Sequence, residues 1–272
     1  SQYIHVPNGR MHYVDEGDGE TIMMLHGTPM WSFLYRHLIS GLSDQYRVVA
    51  PAHLGFGLSD KPQNYSYRPE QQARNIAAFI RQLNLQDITL VVHDFGGPIG
   101  LSYALDHPEN IRRLVIFNTW LWPLQDDPQM AVVGRLLSSP LGRWLFLRFN
   151  FEVNVITPSA FGDRAKLTRA VHDQYREPLR DPMARQAVWV YARELLGSRD
   201  WYKSLWERRD VLQDIPKLIL WGKKDPVLRP TYLDHWLAAF PNAQKVTYPD
   251  TGHYVQEEQG PALVPTIRQF LA

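Results

Sequence analysis

Ile88-Thr89-Leu90-Val91-Val92-His93-Asp94-Phe95-Gly96-Gly97-Pro98-Ile99-Gly100 decides the fold. Its first five residues lack polar alternation, the pattern of a strand buried on both faces. From Gly97 the chain reads as a helix, with proline near the first turn where a missing N–H is harmless. His93 to Gly96 must join the two abruptly. In such a strand-turn-helix elbow the central residue is held in a strained conformation and projects at the carboxyl edge of the sheet, while nearby glycine permits close approach. The residue so presented is Asp94.

Working outward, Thr21 to Leu25, Arg47 to Ala50, Arg113 to Phe117, Leu218 to Trp221 and Gln244 to Tyr248 are further apolar runs of strand length. Arg74 to Leu83 carries Ile76, Ala77, Ile80 and Leu83 at helical spacing, and Val264 to Leu271 is a second helical pattern. Repeated strand and helix units predict an α/β fold: a mostly parallel sheet with helices on both faces. The alternation breaks between Thr119 and about Trp206, where tryptophans, arginines and prolines mix in helical stretches such as Ala187 to Leu196. It resumes at Lys217. The expected organisation is a core of residues 1–118 and 207–272, with 119–206 inserted as a helical cap over the strand ends.

Composition narrows the function. The chain has 272 residues, 44% hydrophobic and 21% charged, the balance of a globular protein with a real core. Twenty-nine basic and 28 acidic residues leave a net charge of +1, so no overall field favours nucleic acid or anionic lipid. The absence of cysteine excludes disulfides, thiolate metal sites and a cysteine nucleophile. No basic segment followed by an apolar stretch opens the chain, and no run of about eighteen apolar residues occurs. The expectation is a cytoplasmic protein, a monomer or a homodimer, whose serine start implies a missing or processed initiator end.

A carboxylate with a reference pKa of about 3.9 is ionised at neutral pH and needs no base to become a nucleophile. Asp94 can therefore displace a leaving group from saturated carbon, giving an ester that an activated water must hydrolyse. Alone, Asp94 could instead merely cap the helix that follows, the weaker of the two readings. Its partners decide between the two. Asp250-Thr251-Gly252-His253-Tyr254 follows the run ending at Tyr248, placing His253 at the same edge as a general base for water. Trp221-Gly222-Lys223-Lys224-Asp225-Pro226 follows another strand and offers Asp225 as the acid that orients the imidazole. In His26-Gly27-Thr28-Pro29 the turn can direct the Thr28 amide toward the same point, and the Phe95 amide supplies a second oxyanion donor. Loss of such a donor typically costs about 3 kcal/mol of barrier. His26 is expected to stabilise this turn. The order nucleophile, acid, base is that of the α/β-hydrolase fold. No metal-ligand spacing competes, and no cofactor is expected.

With these motifs in place, the chain resembles the haloalkane dehalogenase family, in the branch that carries its acid late in the sequence. The resemblance covers His26 to Pro29, Trp31 to Arg36, Gly55 to Pro62, Ile88 to Gly97 and Asp250 to Glu257, most of the core. It implies Asp94 as nucleophile, Asp225 as acid and His253 as base. Another branch carries its acid after the strand ending at Phe117, where Asn118 stands here and cannot be an anion. Departures concern the leaving group. The family usually places tryptophan directly after the nucleophile, where this chain has Phe95, which has no side-chain donor. Its second donor is an asparagine at the position of Thr28, or a cap tryptophan in the stretch corresponding to Ala160-Phe161. Leaving-group or substrate contacts are then expected from Trp31, Trp120 and Phe161, with Trp120 the preferred donor. Ala52 also replaces an aspartate common in the family.

The leading expectation is a hydrolase converting a small apolar haloalkane and water to an alcohol and halide. The first alternative is an epoxide hydrolase, with Tyr175, Tyr191 and Tyr202 available as proton donors from the cap. The second is a catalytically weak member of the fold that binds an apolar ligand without turning it over. A fluoroacetate-type activity would need arginines beside the nucleophile, and Phe95 to Pro98 provide none.

Overall fold

A computed structural model describes residues 1–272. Eight strands form one sheet: β1 (Gln2–Val6), β2 (Gly9–Glu16), β3 (Thr21–Leu25), β4 (Arg47–Pro51), β5 (Ile88–Val92), β6 (Ile111–Phe117), β7 (Lys217–Gly222) and β8 (Gln244–Tyr248). Their spatial order is β1-β2-β4-β3-β5-β6-β7-β8. β1 pairs antiparallel with β2, and β2 with β4; every later pair is parallel. The fully apolar runs behave as expected, since every residue of β3, β5 and β7 is buried.

β1 and β2 were not among the expected strands, and they extend the sheet with an antiparallel edge. They turn back across Pro7-Asn8, with Val6 opposite Gly9. β1 exposes most of its length. A strand facing water needs no continuous apolar run and leaves little to see in the sequence.

Helix α1 (Arg36–Leu42) lies between β3 and β4, whereas α2 (Pro69–Gln82) and α3 (Gly96–Asp106) precede and follow β5. The chain steps across the sheet in opposite directions in the two cases, so right-handed crossovers put α1 and the α2–α3 pair on opposite faces. The packing agrees: α1 meets α12 (Leu263–Leu271), and α2 meets α3. Helix α2 begins earlier than its apolar periodicity, with Pro69 at its first position and Glu70 in its first turn, and buries Ile76, Phe79 and Ile80.

Between β6 and β7 the chain is helical: α4 (Pro128–Ser138), α5 (Pro140–Phe149), a π-helical segment Glu152–Ile156, α6 (Thr157–Ser159), α7 (Arg169–Arg176), α8 (Gln186–Gly197) and α9 (Arg199–Glu207). Asp127 caps α4 by accepting from the amides of Gln129 and Met130. A single hydrophobic cluster continues from the sheet into Met130, Phe146, Tyr191 and Leu205 of these helices. After β7 come α10 (Pro230–Ala239), and after β8 α11 (Val255–Gln259). No helix is long and apolar enough to cross a membrane.

Candidate active site

The elbow is built from β5 into α3. Asp94 has φ of +51°, the left-handed region that non-glycine residues enter rarely and at a cost of order 1–3 kcal/mol. The end of β6 braces this conformation: the Asp94 amide donates to Asn118 O at 2.9 Å, and the Thr119 hydroxyl donates to Asp94 O at 2.5 Å. Close approach explains the glycines. A Cβ on Gly97 would overlap Thr119 Oγ1, and one on Gly27 would overlap the Asp94 carboxylate.

The Thr28 amide donates to Asp94 Oδ1 at 2.8 Å, and the Phe95 amide also acts on this carboxylate. The Thr28 amide thus bonds the Asp94 carboxylate directly, and the Phe95 amide lies near enough to lower its pKa. His26 is buried and neutral, its pKa lowered chiefly by burial. Its Nδ1–H donates to Gly27 O at 2.8 Å and its Nε2 accepts from the His53 amide at 3.0 Å, which fixes the turn carrying Thr28.

His253 stands with Nε2 3.7 Å from Asp94 Oδ2 and Nδ1 2.7 Å from Asp225 Oδ2. Its loop is held from two sides: the His253 amide donates to Ala160 O at 2.8 Å, and His93 Nε2–H donates to His253 O at 3.0 Å. Asp225 Oδ1 accepts from the amides of Val227 and Leu228 at 2.8 and 2.9 Å. Asn118 Nδ2 donates to Asp225 Oδ2 at 2.8 Å. The sequence leaves Asn118 as a position without an acid; the structure gives it the task of holding one.

All three side chains are buried. Burial raises the pKa of Asp94, opposed by His253 and the Phe95 and Thr28 amides. Burial acts in the same direction on Asp225, but His253 and the two turn amides outweigh it and its pKa is lowered. Burial disfavours the His253 imidazolium, yet the Asp225 charge and hydrogen bond, then Asp94, raise its pKa to about 9. Both neighbouring carboxylates thus favour the charged form of the imidazole.

Asp94 and His253 face a cavity of about 240 Å³ with fifteen lining residues, eleven of them hydrophobic, and Asp225 lies behind His253. The other four are Thr28, Asp94, Glu152 and His253. The helices between β6 and β7 supply Met130, Val133, Leu137, Phe151 and Leu195 among the apolar walls. A larger groove of about 730 Å³ beside Trp122, Trp206 and Tyr232 contains none of the elbow, acid or imidazole residues. Size alone does not make it the reactive site.

The expected leaving-group residues lie elsewhere. Trp120 is buried edge-on behind the Phe95 ring, 4.9 Å between centroids, and does not line the cavity; its indole N–H has no partner. Trp31 donates its N–H to Gln174 O at 3.1 Å, and Phe161 packs on Tyr254. Nor does Tyr175, Tyr191 or Tyr202 reach the cavity. The Tyr175 hydroxyl bonds Glu257, the Tyr202 hydroxyl bonds Glu194 O, and Tyr191 packs against Phe95. Aromatic side chains between the sheet and the helices that join β6 to β7 fill volume here, the ordinary use of large rings. Two polar groups on residues lining the cavity carry no signal in the sequence: the Thr28 hydroxyl, buried without a partner, and the Glu152 carboxyl.

A family model described as the alpha/beta hydrolase fold matches residues 20–259, and the chain belongs to that fold family. Within it, the chain is 37% identical over 262 residues to haloalkane dehalogenase 2 of Mycobacterium tuberculosis, covering 95% of this chain and 90% of that one, which places it in the haloalkane dehalogenase family. It is also 36% identical over 284 residues to a cis-3-alkyl-4-alkyloxetan-2-one decarboxylase of Xanthomonas campestris, covering 97% of this chain and 93% of the other. The crystal structure of haloalkane dehalogenase DatA from Agrobacterium tumefaciens superposes with a TM-score of 0.88 at 27% identity, covering 99% of this chain and 96% of that one.

Proposed function

We propose that this chain hydrolyses small apolar haloalkanes through an ester on Asp94, with residues 119–206 acting as the cap that closes the cavity over the 1–118 and 207–272 core. The observation that carries the reading is the Asp94 carboxylate, bonded on Oδ1 by the Thr28 amide and facing His253 Nε2 from Oδ2, inside a mostly apolar cavity. Oδ1 is occupied; Oδ2 is the oxygen left to attack. It forms a bond to the substrate carbon as the carbon–halogen bond breaks, the pair leaving with the halide. The ester is neutral, so His253 loses one of the two carboxylates that raise its pKa, releases its Nε2 proton to solvent and becomes a base. Water gives a proton to Nε2 and attacks the ester carbonyl, whose developing oxyanion the Thr28 and Phe95 amides receive. Collapse expels the alcohol with the His253 proton, and the Asp94 carboxylic acid passes its own proton to the freed imidazole, restoring the starting state.

A second reading is favoured by the lack of a side-chain N–H at Phe95 and by similarity to the oxetanone decarboxylase. Asp94 attack on C4 of a cis-3,4-dialkyl oxetanone breaks the C4–O bond and frees a carboxylate. The bond from C3 to that carboxylate then supplies the pair for a C3=C4 double bond, releasing carbon dioxide and expelling Asp94. No water is consumed. Bromide release across a panel of bromoalkanes, set beside carbon dioxide release from a cis-dialkyl oxetanone, tests the two. Bromide release supports dehalogenation; carbon dioxide without bromide overturns it in favour of the second reading.

A further inference from the structure

We infer that Glu152 is the hydrogen-bond donor that receives the departing halide, a part left vacant by Phe95 and by the Ala160-Phe161 stretch. The inference rests on Asp94 being the nucleophile. Glu152 opens the π-helical segment Glu152–Ile156, a distortion that often marks functional positions. It is buried and lines the same cavity as Asp94 and His253, the one ionisable side chain that the helices between β6 and β7 place there. No lysine or arginine lines the cavity to compensate it.

Charge counting fixes its state. Asp94 and Asp225 as anions with His253 as a cation sum to −1. An ionised Glu152 would make −2 among apolar walls, and a buried uncompensated anion neutralises instead. The groups facing it are Asp94 from the elbow and His253 and Tyr254 from the segment after β8, with Asp225 behind His253. Burial first, then the Asp94 charge, pushes the Glu152 carboxyl up to about 8, against the pull of His253. A neutral carboxyl carries an O–H donor, which a carboxylate lacks. The bond that breaks is carbon–halogen, the pair goes to the halide, and the Glu152 proton stays on its oxygen while hydrogen-bonding the anion. Thr28, which also lines the cavity, has a buried hydroxyl without a partner and so offers a further O–H.

The test is the bromide burst from 1-bromobutane in a single turnover with enzyme in excess, across pH. Glu152→Leu should slow the burst on the order of 100-fold, the usual loss for one donor to developing charge. Glu152→Gln, which offers an amide N–H, should recover most of that loss. The wild-type burst should fall as pH rises above about 8, whereas Glu152→Gln should not share this fall. Glu152→Leu should melt no lower than the wild type, since an unpaired buried carboxyl is replaced by an apolar group. A Glu152→Leu burst at the wild-type rate, an unaltered pH fall in Glu152→Gln, or a lower melting midpoint overturns the assignment. A wild-type protein with no burst overturns the dehalogenase reading together with it, and a burst retained in Asp94→Asn overturns Asp94.

Discussion

Asn118 Nδ2 donates to Asp225 Oδ2 at 2.8 Å, so the residue just after β6 holds the acid that follows β7. The Asn118 side chain also ties the two strand ends together, accepting from the Gly222 amide at 2.9 Å and donating to Gly222 O at 3.1 Å. With His253 on the same oxygen and two amides on the other, Asp225 meets four donors and stays ionised in a buried place.

Asn118→Leu removes one donor to a buried charge, worth about 1.5–3 kcal/mol, and loosens Asp225. The expected result is a fall in kcat of roughly 10- to 100-fold with KM little changed. Steady-state kinetics with 1-bromobutane checks it.

Asp225→Asn should separate the half-reactions. Alkylation of Asp94 needs no base, whereas ester hydrolysis needs an oriented imidazole, and loss of the orienting acid costs on the order of 10³- to 10⁴-fold. Rapid-quench measurement should show a retained bromide burst followed by almost no turnover. Equal loss of both phases would contradict this division of labour.

The raised pKa of His253 has a stability consequence with a definite sign. The unfolded value is about 6.5, and the folded value is about 9. The protonated form is therefore favoured by folding, so the contribution is complete below about pH 6.5 and is lost as pH rises through about 9. The thermal midpoint should decline over this window more steeply in the wild type than in His253→Phe. Glu152, also raised, loses its own contribution from about pH 4.5 to about 8, and without the pull of His253 its carboxyl rises further, so the difference between the two proteins reads His253 together with its effect on Glu152.

Gly27→Ala should abolish adduct formation on Asp94, because the new Cβ overlaps the carboxylate that must attack. Intact-mass measurement after incubation with 1-bromobutane, with circular dichroism to verify folding, reads the outcome.

Trp120→Phe should leave the bromide burst within about twofold. Its indole lies behind Phe95 rather than on the cavity, and its N–H has no partner to lose. A large loss would return Trp120 to the leaving group.

The Asp94 turn, Asp225 and His253 could be brought to one edge from the sequence because each lies in a short turn after a segment of strand length. Local sequence dictates such turns. The Asp225–Asn118 bond was not legible, as it joins side chains 107 positions apart. β1 and β2 escaped because strands that meet water carry polar side chains such as His5 and Arg10, and their Pro7-Asn8 turn lies between two weak patterns. Glu152 escaped for another reason. Its place over Asp94 depends on how the helices between β6 and β7 fold back, and a lone glutamate in that stretch looks like any solvated acid. The tryptophans attracted notice for a chemical group, the indole N–H, that the fold uses mainly as bulk.

The most direct measurement of the central claim is intact-mass and peptide mapping of His253→Phe after exposure to 1-bromobutane. Without a base, the ester cannot be hydrolysed, and one butyl group should accumulate on Asp94. A folded His253→Phe protein that gains no butyl group, or carries it on another residue, contradicts Asp94 as the nucleophile.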